Sequence, residues 1–118
     1  MVSPARGKVV LVPFPFSDLS SSKVRPSLVL AHAGGDDWLL CQITSSAYAD
    51  PHAVQINETD FIQGSLHRSS FIRPGKIFTA SQSLMVGEAG AIRDEVHQTI
   101  TQKVVDILQG QPKPPTSQ

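Results

Sequence analysis

The sequence predicts a mainly β chain, a small barrel of antiparallel strands followed by one C-terminal α-helix. Three observations predict it. Short β-branched apolar runs alternate with Gly, Pro and Ser clusters up to about residue 80, and beyond residue 92 the apolar spacing switches to three and four. The chain has 118 residues, 40% of them hydrophobic, enough for one core but not for two. One domain over residues 1–110 and a flexible tail over 111–118, rich in proline, are expected.

Lys8-Val9-Val10-Leu11-Val12 reads as a buried strand, ended by Pro13 and Pro15, which have no N–H to give to a ladder. From Phe14 to Val24 the chain turns polar, with four serines, and is expected to be a long surface loop. A second apolar run over residues 26–33 follows. The Gly34-Gly35-Asp36-Asp37 sequence makes a turn into Trp38-Leu39-Leu40-Cys41-Gln42-Ile43-Thr44, completing a three-stranded meander. After a polar loop over residues 45–51, Ala53-Val54-Gln55-Ile56 alternates as a short strand. Ser69-Ser70-Phe71-Ile72-Arg73 and Lys76-Ile77-Phe78-Thr79 read as two strands joined by a Pro74-Gly75 turn. Phe71, Phe78 and Trp38 are assigned to the core. Ile92, Val96, Ile100, Val104, Ile107 and Leu108 form one helical stripe. Asp94 and Glu95 suit its N-terminal dipole and Lys103 its far end, and Gly110 and Pro112 stop it.

Cys41 is the only cysteine, which excludes an intrachain disulfide and a multi-cysteine metal site and fits a reducing compartment. No run approaches the roughly 20 apolar residues of a membrane span, and no leader pattern opens the sequence, so the expected location is the cytoplasm, with no membrane partner. Ten basic residues balance ten acidic ones, but not evenly. Residues 1–30 carry Arg6, Lys8, Lys23 and Arg25 against Asp18, and residues 65–85 carry Arg68, Arg73 and Lys76 against no acid. Residues 31–64 hold five acids and no Lys or Arg. Segregation of this kind predicts one basic face able to meet a polyanion, with salt-sensitive binding confined to it.

The most specific signal is Val10-Leu11-Val12-Pro13-Phe14-Pro15-Phe16-Ser17-Asp18-Leu19-Ser20, followed by Lys23-Val24-Arg25-Pro26-Ser27-Leu28-Val29-Leu30. With Gln42-Ile43-Thr44-Ser45, the segment from Ser69 to Thr79, and Gly90-Ala91-Ile92-Arg93-Asp94-Glu95, it resembles the PemK/MazF-like toxin family of type II toxin–antitoxin systems. Four blocks match in register over about residues 6–108. The resemblance implies an SH3-like barrel with a C-terminal helix, a homodimer, a sequence-specific endoribonuclease that cuts single-stranded RNA (mRNA) without a metal or other cofactor, and a cognate antitoxin that silences it. The antitoxin is expected as an acidic flexible segment lying across the groove beside Arg25 and residues 14–23. It also implies an arginine and a hydroxyl residue beside the scissile phosphate, which fall on Arg25 and Thr44.

The chemistry is sound on its own terms. Attack by the RNA 2′-hydroxyl needs a base, donors for charge growing on the phosphoryl oxygens, and an acid for the leaving 5′-oxygen. Arg25 offers a planar fork matched to phosphate, with Pro26 fixing the backbone behind it. Thr44 supplies a stiff hydroxyl at a strand end. Some relatives carry an acidic residue just before the Ser-Ser block, whereas this chain has Leu66-His67-Arg68 and no carboxylate between Asp60 and Glu88. His67 and Asp18 are therefore the two candidate bases. His67 is assigned because imidazoles ordinarily titrate near ~6.5, and an Asx turn is the competing role for Asp18.

Lys23, Arg68, Arg73 and Lys76 read as phosphate contacts, and Ser17, Ser45 and Ser70 as hydrogen-bonding partners of RNA. Phe16, or Phe14, is a candidate stacking platform, against the alternative of plugging a barrel end. Two competing readings are a non-catalytic binder on the same barrel, such as a gyrase-inhibiting toxin, and a family member that has lost activity. The former works through an aromatic residue near the C-terminus, and no aromatic residue follows Phe78. The latter draws on the missing carboxylate.

Overall fold

A computed structural model describes residues 2–14, 23–46 and 49–110. Its elements are β1 (Lys8–Phe14), β2 (Lys23–Gly34), β3 (Asp37–Thr44), β4 (Val54–Ile56), β5 (Phe61–Gly64), β6 (Ser70–Ser81), β7 (Gly87–Ile92) and α1 (Asp94–Leu108). The seven strands form one sheet in the order β4-β6-β3-β2-β1-β7-β5, and every pairing is antiparallel. Strands β4 and β5 stand at opposite edges of that order, yet only residues 57–60 separate them in the chain. Four residues reach no more than about 14 Å when extended. The sheet therefore curls until its two edges nearly meet, giving the barrel-like shape.

Alternation along the central strands sends successive side chains to opposite faces. Val9, Leu28, Leu30, Cys41, Ile43, Ile56, Phe61, Ile72 and Ile92 fill the larger core, closed by Ile100 and Val104 of α1. Val10, Val12, Val29, Leu40, Ala80 and Met85 form a second layer, with Trp38 and Phe78 packed against it. Val9, Val10, Leu28, Val29, Leu40 and Cys41 are fully buried on one face or the other, as a continuous β-branched run requires. Phe71, Phe78 and Trp38 are half-buried, at the margins of the core and not in its centre.

The helix starts at Asp94, two residues later than its apolar stripe suggests, because Ile92 belongs to β7. Asp94 and Glu95 occupy the first turn as expected, but Lys103 lies short of the last turn, which has no basic residue. His97 is buried on the inner face, its Nε2 donating to the Leu30 carbonyl at 3.2 Å while Nδ1 faces the Thr101 hydroxyl at 3.5 Å.

Pro74-Gly75 does not make a turn. Strand β6 continues through it, and Cys41 pairs with Ile77 while Ile43 pairs with Ile72, so residues 73–76 all face Gln42. The pair forms an extended bulge that bends the strand instead of ending it. Strands β5 and β7 cross at two glycines. A Cβ on Gly64 would collide with the Ala89 carbonyl and one on Gly90 with the Gln63 carbonyl, and Gly64 has φ +72°. The chain leaving β5 after that crossing supplies Leu66 and Arg68 to an open cleft. No helix among the described residues is long and apolar enough to cross a membrane.

Candidate functional site

The β2–β3 ladder stops at Ser27 opposite Gln42. Beyond that rung β2 stays on β1 as far as Lys23, paired with Phe14, whereas β3 stays on β6 as far as Thr44, paired with Phe71. The sheet splits there. An open cleft of about 320 Å³ occupies the split, lined by Lys23, Val24, Arg25 and Pro26 of β2, by Ile43, Thr44 and Ser45, and by Leu66, Arg68 and Ser70.

Six of the residues assigned from sequence thus meet in one place: Lys23, Arg25, Thr44, Ser45, Arg68 and Ser70. Three are cations and three carry hydroxyls, with no carboxylate in the lining among the described residues. Lys23, Ser45 and Arg68 are exposed, Arg25 and Thr44 half-buried, and Ser70 is 3% exposed. The Thr44 hydroxyl is oriented by the next turn of chain: Oγ1 donates to the Ser46 carbonyl at 3.0 Å and accepts from the Ser46 N–H at 3.2 Å. Ser70 Oγ donates to the Arg68 carbonyl at 3.3 Å, tying the two lining residues together.

His67 lies between the lining residues Leu66 and Arg68 but is not itself one of them. Its side chain is exposed, its N–H donates to Ser65 Oγ at 2.8 Å, and its φ of 62° is the only positive value at a non-glycine among the described residues. Such a conformation costs about 1 kcal/mol and persists where neighbours hold it.

Arg73 and Lys76 sit outside the lining, on the β6 bulge. Arg73 Nε bonds the Asp50 carboxylate at 2.7 Å, and Nη1 reaches Gln42 Oε1 at 3.4 Å. Burial opposes ionisation of Asp50, but the Arg73 hydrogen bond, the His52 N–H at 2.9 Å and the nearby positive charge outweigh it and hold the carboxyl below its ordinary range. Lys76 is exposed. Phe16, Ser17 and Asp18, with the Phe14 side chain and the tail over 111–118, lie outside the described residues. Cys41 is buried in the core, which pushes its thiol up to about 12 and leaves it neutral.

Sequence reasoning missed the apolar part of the lining, Val24, Pro26, Ile43 and Leu66. The interleaving of Val24 and Pro26 with Lys23 and Arg25 was visible. What it meant depends on the parting of β2 from β3.

A curled antiparallel barrel with a cation- and hydroxyl-lined split defines a small β protein whose one charged opening has the chemistry to receive an anion. The model of the PemK-like, MazF-like toxins of type II toxin–antitoxin systems matches residues 5–108, and the chain belongs to that family. Its fold is that of a MazF from Deinococcus radiodurans (TM-score 0.72, 20% identity, 92% of this chain and 99% of that one). An endoribonuclease in complex with its cognate antitoxin from a mycobacterial species aligns with TM-score 0.71 at 16% identity, over 95% of this chain and 100% of that one. The Mycobacterium tuberculosis toxin MazF-mt6 aligns with TM-score 0.67 at 11% identity, over 86% and 96%. A comparison with curated protein sequences finds no match.

Proposed function

We propose that this toxin-family chain is an endoribonuclease that cleaves single-stranded RNA, mRNA included, through the RNA's own 2′-hydroxyl. The observation that carries the reading is the convergence of Lys23, Arg25 and Arg68 with the Thr44, Ser45 and Ser70 hydroxyls in the β2–β3 split. In the proposed reaction the 2′-oxygen bonds to the adjacent phosphorus, the bond to the 5′-oxygen breaks, and a 2′,3′-cyclic phosphate and a 5′-hydroxyl result. Arg25 receives the charge that grows on the phosphoryl oxygens, and Thr44 adds a hydroxyl donor once the substrate displaces its bond to Ser46. His67, exposed on the turn between two lining residues, is the proposed proton-transfer group. Arg73 and Lys76 extend the basic face for the flanking backbone, and Phe16 and Ser17 are assigned to the strand's bases and backbone. The reaction as written takes no metal, so cleavage is expected to persist in a chelator.

A homodimer and a cognate antitoxin complete the reading. Ile62 on edge strand β5 and Leu108 at the end of α1 are 65% and 75% exposed, apolar groups that a second copy would cover. An acidic antitoxin segment laid over the three cations would exclude RNA by occupying the same charge. The deciding experiment maps the ends of RNA cut by antitoxin-free protein. A defined cut bearing a 2′,3′-cyclic phosphate, lost in Arg25→Ala, is expected. Intact RNA across a panel of single-stranded sequences would favour the reading of a binder without activity.

A further inference from the structure

We infer that the apolar floor of the cleft seats one unpaired base of the bound strand, with Val24 and Leu66 as the side chains that determine which base is preferred. The inference rests on the proposed single-stranded RNA reading. Phosphate chemistry accounts for the cations and hydroxyls but not for Val24, Pro26, Ile43 and Leu66, which make up the rest of the lining. Val24 is 53% exposed, on a strand whose buried stretch runs only from Ser27 to Leu30. Half of its apolar surface is thus open to solvent on the cleft and available to a ligand.

The interleaving matches the ligand. Along β2 a cation alternates with an apolar residue, Lys23, Val24, Arg25, Pro26, and because the strand borders a split both series reach the cleft. A single strand of RNA likewise offers one phosphate and one flat apolar face per nucleotide. A volume of about 320 Å³ lies at the low end of small-ligand pockets and has room for one nucleotide but not for a duplex. A base reaches such a floor only when it is unpaired and turned out of its stack. Leu66 also packs against the larger core, so its position is held by the fold.

The test uses antitoxin-free protein and a short 2′-O-methyl RNA, which binds but cannot be cut through its 2′-oxygen, beside the same RNA carrying one abasic residue at each successive position. Affinities are read by fluorescence anisotropy. For the wild type, one abasic position is expected to weaken binding by about tenfold, the lower range for the loss of one seated base, and the others to matter little. Val24→Ser, at an exposed site that tolerates polarity, is expected to abolish that difference while keeping the Arg25-dependent binding of every RNA. Leu66→Ser is expected to do the same and, with it, to erase the preference for one base at that position. If RNA binds in an Arg25-dependent way but no abasic position matters, the RNA reading stands and the base seat is overturned. If Val24→Ser instead weakens only the toxin–antitoxin complex, the floor seats an antitoxin side chain and the inference fails. If the wild type binds no RNA, both readings fall together.

Discussion

Arg25 and Thr44 occupy matching positions two residues past the last rung of the β2–β3 ladder, Ser27 opposite Gln42. Had the ladder continued they would be cross-strand neighbours; because it stops, they face each other across a cleft. Each is held by a different partner strand, Arg25 by Val12 of β1 and Thr44 by Phe71 of β6. A phosphate entering the split would therefore meet a guanidinium and a hydroxyl carried on strands, with only the Thr44 hydroxyl having to turn from the Ser46 carbonyl.

Loss of either group should slow cleavage without unfolding the protein. Arg25→Ala is expected to lower kcat by about 10²–10³, the usual effect of removing one charge-stabilising donor. Thr44→Val is expected to cost about 10², and Thr44→Ser to restore most of it, because serine keeps the hydroxyl and its turn to Ser46. Single-turnover rates at saturating RNA measure both, and an Arg25→Lys variant separates charge from fork geometry: lysine should recover only part of the loss.

Lys23 and Arg68 are exposed at the rim, where the proposed contact with RNA would be through charge alone. Each replaced by Ala should reduce the slope of log K against log salt by about 0.7, the contribution of one phosphate on a single strand. The weakening should be similar for every RNA sequence, because backbone contacts position the strand without reading it. Binding isotherms at several salt concentrations check this, and a loss that depended on sequence would move the residue from backbone to base contact.

The central strands and the helix were legible because their signals are local: β-branched runs for β1 to β3, a stripe at helical spacing for α1. Strands β5 and β7 were not, since Phe-Ile-Gln-Gly and Gly-Glu-Ala-Gly-Ala-Ile have weak strand propensity and owe their pairing to the Gly64–Gly90 crossing, a tertiary contact. Pro74-Gly75 misled for a related reason. The pair carries every mark of a turn, yet a bulge opposite Gln42 absorbs it. At the site, the charged and hydroxyl residues could be read from motif blocks, while the apolar floor could not, because it exists only where two strands part.

The Asp50–Arg73 pair ties the connection after Thr44 to strand β6 and should make stability fall in acid. Its side chains are 9% and 25% exposed, so the bond is partly shielded from water. Asp50 has its folded-state pKa lowered, so the stability it contributes is present above the unfolded carboxyl value of about 3.9 and is lost as pH drops through the folded value. Arg73→Ala is expected to cost roughly 1–3 kcal/mol at neutral pH, the range for a hydrogen bond to a charged group left unmade. Asp50→Asn should flatten the acid limb of a urea-unfolding series between about pH 5 and 2, and an unchanged limb would place the acid sensitivity in other carboxyls.

Ser27 stands at the apex of the split, fully buried, and its hydroxyl has no hydrogen-bond partner among the described residues. A hydroxyl withdrawn from water without compensation is destabilising, and removing it leaves a side chain of nearly the same shape. Ser27→Ala is therefore expected to raise stability by about 1 kcal/mol, measured as a higher denaturant midpoint at unchanged slope. The backbone pairs that set the split, Ser27 with Val10 and with Gln42, do not involve the hydroxyl, so cleavage by the variant should match the wild type. Loss of activity with the fold intact would mean that the hydroxyl serves the cleft, and its burial without a partner would then be a cost carried for function and not a packing accident.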